Sequence, residues 1–342
     1  MKQVNRLSIA LTMGEPAGIA VEISLKAWEA LRGTDCSFFL MHDPGCVSGT
    51  ASLLRLGVPF QVIRRPTDAR DIFAHALPVF PIGLPAPVQL GLPDPLNALS
   101  VIEAIQTGAR FAQSGEASAL VTNPIQKSTL YAAGFGFPGH TEFLEHLAGE
   151  PFRSTMMLVC PGLKVVPVTI HQSLQSAIAD LTTEKIVITA LATAAALTRD
   201  FGIEQPRLAV AGLNPHAGEA GAMGQEEIDV IEPAVKELER RGIRVSGPWP
   251  PDTLFTARSR LQYDAAICMY HDQALIPLKT LDVDGGVNVT LGLPFVRTSP
   301  DHGTALDRAG KGTADPGSLI AAIQLGFEIS TNRTKNEGRH RS

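Results

Sequence analysis

Three histidines close three separate apolar, β-branched runs: His171 ends KVVPVTIH, His216 follows RLAVAGLNPH, and His271 ends AAICMYH. In open α/β sheets functional groups collect outside the carboxyl ends of strands, so one end of a sheet would gather three imidazoles. Neutral imidazole suits zinc and similar divalent ions, and three protein ligands with an open fourth position is the catalytic arrangement. The separations of 45 and 55 residues match no local zinc motif. Taken singly, each is more simply a loop histidine satisfied by hydrogen bonds. Their repetition at strand ends favours a three-histidine metal site. Asp272 is then a candidate acceptor for the ring of His271, or an N-cap, while Asp252 in PPDTLF reads better as a helix cap.

Two further clusters suit an anion. In FPGHTE a turn feeds a helix, with Thr141 as the expected N-cap; the positive helix end would point His140 and Thr141 at a negatively charged ligand. Lys279, Asn288 and Arg297 stand in IPLKTL, GGVNVT and LPFVRTS. A cation in an apolar context is expected to meet an anion, and an Arg fork with an Asn donor suits phosphate or carboxylate. The loop TMGEPAG, residues 12–18, sits where a phosphate loop would, but it has no lysine and no GxGxxG, so Walker A and Rossmann readings fail. Its glycines serve a tight turn at least as well as catalysis. The run DHGTALDRAGKG, residues 301–312, permits close backbone approach, as the adenosine end of a nucleotide would need; the plain alternative is a glycine-rich helix boundary.

Elements able to hold these groups are visible along the chain. Apolar runs at 7–13, 37–41, 119–121, 155–159, 165–170, 207–211, 265–269 and 287–291 alternate with helical patterns at 19–31, 96–113, 142–148, 184–199, 226–241 and 316–327. That alternation predicts an α/β fold with mostly parallel sheets. The Pro-rich stretch 77–95 is expected to be an ordered surface excursion and not a central strand. The 342 residues, 44% hydrophobic and 18% charged, suffice for two domains around real cores, which excludes a disordered or collagenous chain. Aromatics at 6% and a net charge of −5 argue against a nucleic-acid platform, so any phosphate must be held by a local pocket. Cys36, Cys46, Cys160 and Cys268 lack CxxC spacing and are expected to be reduced, with no disulfide and no thiolate zinc site. No export signal and no run of roughly 18 apolar residues is present, so a cytoplasmic protein without a membrane partner is expected. The polar, basic segment 331–342 is expected to be a disordered tail.

The blocks TMGEPAGI, VTNPIQKSTL, GHTEFLEHLA, GLNPHAGEAGAMGQEE, PPDTLF, MYHDQALIPLK and GVNVTLGLPFVRTSPDHGTALDRAGKG resemble the 4-hydroxythreonine-4-phosphate dehydrogenases of vitamin B6 synthesis, the PdxA family. This resemblance spans nearly the whole chain. It implies two α/β/α domains like those of isocitrate and isopropylmalate dehydrogenases, with an interdomain active-site cleft. Residues 1–125 with 300–330 would form one domain, and 126–299 the other, carrying the metal and substrate residues. A homodimer is implied, with the active site at the subunit interface and both subunits contributing metal ligands. Carried over by position, the divalent-metal ligands (zinc, magnesium or cobalt) are His171, His216 and His271, and the substrate residues are His140, Thr141, Lys279, Asn288 and Arg297. Lys279 and His271 would be catalytic. The run containing His302, Gly303, Thr304 and Asp307 resembles the adenosine segment of those relatives, which accounts for NAD or NADP binding without GxGxxG. Two departures stand out: Ala20-Val21 replaces a frequent Gly-Pro, and Gln172-Ser173 follows His171 where Leu-Pro is usual.

The activity implied is NAD-dependent, metal-dependent oxidation of 4-phosphooxy-L-threonine at C3, then decarboxylation to 3-amino-2-oxopropyl phosphate. A paralogous dehydrogenase of D-threonate or D-erythronate 4-phosphate, or of a cyclic dihydrodiol, would share the metal histidines and differ around the substrate. A metal-dependent hydrolase would need no nicotinamide, and the 301–312 run speaks against it. A non-catalytic phosphate-binding protein is disfavoured by the missing export signal and by the histidines.

Overall fold

The computed structural model describes residues 7–283 and 285–340. The described strands are β1 (Ile9–Leu11), β2 (Phe38–His42), β3 (Phe60–Val62), β4 (Leu77–Pro81), β5 (Leu120–Val121), β6 (Thr155–Cys160), β7 (Leu163–Pro167), β8 (Arg207–Ala211), β9 (Arg244–Trp249), β10 (Ala265–Cys268), β11 (Val287–Leu291) and β12 (Arg297–Pro300). The chain divides into two compact units, Met1–Ser154 with Leu293–Ser342, and Thr155–Gly292.

In the first unit the strands run β3-β4-β2-β1-β5-β12, with every pairing parallel. Such a sheet needs cover on both faces, and the strands are accordingly apolar throughout: all of β1 and β2 is buried. The helix Ala98–Ser114 lays Val101, Ala104, Ile105 and Ala109 against Ala10, Phe39, Met41 and Leu120. It ends at Gly115, whose φ of 77° is the left-handed conformation that closes helices. In the second unit the order is β11-β6-β7-β10-β8-β9; β6 runs antiparallel to both neighbours and the remaining pairs are parallel. Its core joins Leu158 and Val165 to Ala209, Ala266, Cys268 and Leu278.

The expected boundaries at 125/126 and 299/300 lie instead at 154/155 and 292/293. The helix His140–Ala148 belongs to the first unit because Phe143 and Leu144 enter the same core as Ile105 and Leu120. The segment after 330 is not a disordered tail up to its last described residue. The helix Gly317–His340 continues through it, anchored by buried Leu319, Ala322, Ile323 and Ile329 at helical spacing. Thr334 and Lys335 in it are exposed, and Thr331 and Thr334 bond back to the Phe327 and Ser330 carbonyls. Residues 341–342 lie outside the described residues.

The Pro-rich stretch also differs from expectation, since β4 is paired on both sides. Pairing to β2 begins at Val79 and pairing to β3 ends at Val79. Pro78 and Pro81 therefore stand at opposite ends of two short ladders, where a missing N–H is tolerated. The four cysteines are free thiols, Cys160 and Cys268 buried. No single described helix is long and apolar enough to cross a membrane.

Candidate functional site

In the first unit the end of β5, the start of β12 and one helix terminus bring together groups suited to an anion. Arg297 opens β12, opposite Leu120, and is only 3% exposed. Its Nη2 donates to Thr122 Oγ1 at 2.7 Å, and burial brings its pKa down to about 10, so the guanidinium stays charged at neutral pH. The helix His140–Ala148 begins beside it. Here the N-cap is Gly139, not Thr141, which lies one turn position inside the helix. Gly139 has no side chain to accept from the first-turn N–H groups, which leaves that terminus suited to an anion. The start of the helix is held by packed aromatic rings, Phe135–Phe143 edge-to-face and Phe137–Phe143 tilted, with centroids each 5.0 Å apart.

His140 Nε2 is buried without a hydrogen-bond partner. Burial, reinforced by the positive charges of Arg297 and Lys127, holds the His140 pKa well below the ordinary histidine range. The ring is thus neutral, a polar group available to a ligand. Lys127 was not singled out in the sequence; its ammonium lies 3.6 Å from where a side chain on Gly139 would begin. Thr122 was likewise missed, because only the β5–β12 pairing places it under Arg297.

Near the same end of this sheet, Thr304 packs against the loop after β1. Ile19 donates to the Thr304 carbonyl at 3.2 Å, and a Cβ on Gly18 would lie 2.8 Å from that oxygen. Gly14, at φ +66°, faces Asn123 with no room for a side chain. These glycines have a packing reason. His302 Nδ1 contacts the Gly303 carbonyl at 2.9 Å while its Nε2 is buried and unpartnered, and Gly303 faces open space. Asp307 is exposed in the short turn Leu306–Arg308. An unsatisfied imidazole beside open backbone fits a nucleotide edge.

The second unit brings two of the three strand-end histidines together. His171 and His271 line one pocket of about 400 Å³ with Tyr270 and Asp272, and their ring centroids are 5.9 Å apart. His271 is the first residue of the helix His271–Leu281, and its Nδ1 pairs with Asp272 Oδ1 at 2.7 Å. That contact leaves Nε2 for a ligand and makes Asp272 the acceptor rather than a cap. His171, at φ +49°, and His216, at φ +53°, both adopt the left-handed conformation that non-glycine residues avoid. Backbone strain of this kind clusters at functional sites.

His216 does not line that pocket, and no group of three His, Cys, Asp or Glu side chains placed to hold a metal occurs among the described residues of one chain. The imidazole donors suit a divalent ion, and within one chain they form an incomplete set. Asn288 Oδ1 on β11 is buried and unpartnered. Lys279 is exposed on the last turn of its helix, contrary to the expectation of an apolar setting. The apolar neighbours in IPLKTL are spread around the helix, Leu278 inward and Ile276 outward. Asp252 lies inside the four-residue helix Pro251–Leu254, and Pro250 occupies the cap position expected of it.

The sequence profile described as Pyridoxal phosphate biosynthetic protein PdxA matches residues 34–326. The chain belongs to the PdxA family. It is 51% identical over 330 residues to the 4-hydroxythreonine-4-phosphate dehydrogenase of Caulobacter vibrioides, covering 95% of this chain and 98% of that one. It is equally 51% identical over 334 residues to the enzyme of the same name from Maricaulis maris, at 95% and 98% coverage. Among solved structures, the 4-hydroxythreonine-4-phosphate dehydrogenase of Klebsiella pneumoniae superposes with a TM-score of 0.84 at 35% identity, covering 95% of this chain and 98% of that one. A terephthalate 1,2-cis-dihydrodiol dehydrogenase from Burkholderia xenovorans follows at a TM-score of 0.64 and 27% identity, covering 94% and 98%. PdxA membership makes this chain an oxidoreductase of pyridoxal phosphate synthesis with the α/β fold of those structures.

Proposed function

We propose that the chain is a cytoplasmic, NAD-dependent dehydrogenase of 4-phosphooxy-L-threonine that works as a homodimer. The observation that carries this reading is the His171–His271 pair over one pocket, its second imidazole tied to Asp272. The names of the relatives at 51% identity support the substrate.

In this reading the phosphate or carboxylate is held by Arg297, His140, Thr141 and the open helix terminus, with Asn288 as a neutral donor and acceptor. Lys127 adds a second positive charge close by. A divalent ion on His171, His271 and His216 would supply Lewis acidity at the C3 hydroxyl. Because one chain leaves the set incomplete, the third imidazole is supplied across the dimer. The segment of His302, Gly303, Thr304 and Asp307 would seat the adenosine end of the cofactor and fix the nicotinamide against C3–H.

The reaction needs a proton carrier, and Lys279 is the residue proposed for it. Bound nicotinamide would supply the hydride acceptor for the C3 hydrogen, the hydroxyl proton would pass to Lys279, and C3 would become a ketone. The bond from C2 to the carboxylate then breaks, CO₂ departs, and the electron pair forms an enolate. A proton delivered to C2 by Lys279 gives 3-amino-2-oxopropyl phosphate.

The test is absorbance of reduced nicotinamide with 4-phosphooxy-L-threonine, before and after chelation, with D-threonate 4-phosphate, D-erythronate 4-phosphate and a cis-dihydrodiol as comparators. Metal-dependent signal that is largest with the phosphorylated threonine is expected. Silence with metal present defeats the reading, and preference for the dihydrodiol moves the chain towards the Burkholderia xenovorans likeness.

A further inference from the structure

We propose that Glu227 is the positioning residue of His216: its buried carboxylate holds the left-handed turn that presents this imidazole. The inference rests on the metal reading above and concerns residues of the second unit alone.

From His216 to Ala220 five successive residues have positive φ, at 53°, 51°, 78°, 44° and 53°. Only one of them, Gly218, adopts that conformation without steric cost. Something outside the turn must impose it. Glu227 is 2% exposed, and its carboxylate accepts from Leu213 N and Asn214 N, both at 2.7 Å, through Oε1. Oε2 accepts from Asn214 Nδ2 at 2.9 Å, and the same amide donates to Glu226 Oε2 at 2.7 Å. All three donors to Glu227 belong to the two residues just before Pro215-His216. The turn itself closes through Ala217 N to Asn214 O at 3.1 Å and Met223 N to Gly218 O at 3.0 Å.

The carboxylate also fills the inside of the turn. A Cβ on Gly218 would lie 2.6 Å from Glu227 Oε2, and one on Gly212 would lie 2.9 Å from Ala217 Cβ and 3.2 Å from Glu227 Oε1. Glu227 begins the π-helical turn Glu227–Ile231, which leads directly into the helix Glu232–Arg240. The loop is thereby tied to a packed element whose Ile231, Ala234 and Leu238 are buried. A ligand on a strained loop keeps its aim only when such a partner locks it.

The test measures zinc affinity by competition titration of the full-length protein, without substrate or nicotinamide. Wild type is compared with H216A, E227Q and the double variant H216A/E227Q. The expected result is at least a tenfold weaker site in H216A and in E227Q, with no additional loss in the double variant, because Glu227 acts through His216. E227Q binding zinc as tightly as wild type, or losses that multiply in the double variant, would overturn the inference. Equal zinc binding by wild type and H216A would instead sink the metal reading itself. Should E227Q not fold, N214A removes the side-chain donor to both glutamates while keeping the backbone bonds; a smaller loss in the same direction is expected, and wild-type affinity would overturn the inference.

Discussion

The imidazoles of His171 and His271 face each other at 5.9 Å between centroids, although exactly one hundred residues separate them in the chain. The parallel pairing of β10 with β7 accounts for this, since it aligns Cys268 with Pro167 and so brings the two strand exits side by side. Each exit then turns sharply, His171 through a left-handed residue and His271 by opening a helix. The pair is a product of sheet register plus two local turns.

Asp272 is where this pair is most easily loosened. Asp272→Asn keeps the shape but removes the charge that orients His271 Nδ1. A second partner of this kind is worth roughly 10–100-fold in metal affinity. Zinc affinity is expected to fall within that range while the unfolding midpoint stays near wild type, because Asp272 is largely exposed. Unaltered zinc affinity would show that the 2.7 Å contact has no bearing on the metal.

Arg297 is the buried charge of the proposed anion site. Removing it in Arg297→Ala takes away a buried charge and leaves Thr122 without its 2.7 Å donor. Truncating one partner of a buried charged contact costs about 2–5 kcal/mol, so kcat/KM is expected to fall by on the order of 10²-fold or more. Arg297→Lys retains charge and loses the planar fork, and a smaller loss is expected, mainly in KM. Phosphate should raise the thermal midpoint of wild type and leave that of Arg297→Ala unmoved. A normal KM in Arg297→Ala would remove the residue from the substrate pocket.

The placement of the strand-end histidines and Arg297 was legible because each stands at the border of an apolar run, and the run itself needs no long-range information. Other features depend on contacts distant in sequence. The turn at 216–220 is shaped by Glu227, whose role no local pattern announces. The pairing of β4 was hidden by two prolines that are harmless only because β2 and β3 engage different stretches of it. Thr141 looked like a cap by residue type, yet Gly139 begins the helix and leaves its N–H groups open. The exposure of Lys279 has no local signature, because its apolar neighbours in sequence point to different sides of the helix.

His42 makes the fold acid-sensitive. It is fully buried at the end of β2, and burial, only partly opposed by the backbone and charge of Asp43, lowers its pKa from 6.5 to about 4. Between those values the unfolded chain binds the proton and the folded chain does not, so stability rises with pH through this window and is fully present above 6.5. His42 alone should contribute a slope of roughly 1.4 kcal/mol per pH unit inside it. His140, lowered in the same direction, adds to the effect. Urea unfolding at pH 7, 6 and 5 is expected to show falling stability, with a shallower fall in His42→Gln. Equal slopes in the two proteins would mean that His42 is solvated.

Gly18 links the loop after β1 to the proposed cofactor segment. A methyl group there would meet the Thr304 carbonyl at 2.8 Å, a distance that forces backbone and not a flexible side chain to move. Thr304 also donates to Gln126 Oε1 at 3.2 Å, so displacement would reach the start of the helix Lys127–Ala132 as well. Gly18→Ala is therefore expected to weaken NADH binding several-fold, read by cofactor fluorescence, while zinc affinity, which depends on residues of the other unit, remains at the wild-type value. Gly14→Ala is the harsher change, because a φ of +66° adds strain to the collision with Asn123; a loss of about 2–4 kcal/mol in stability is expected. If Gly18→Ala bound NADH normally and Gly14→Ala unfolded at the wild-type midpoint, neither glycine would be required by packing, and the loop would regain its claim to a direct part in binding.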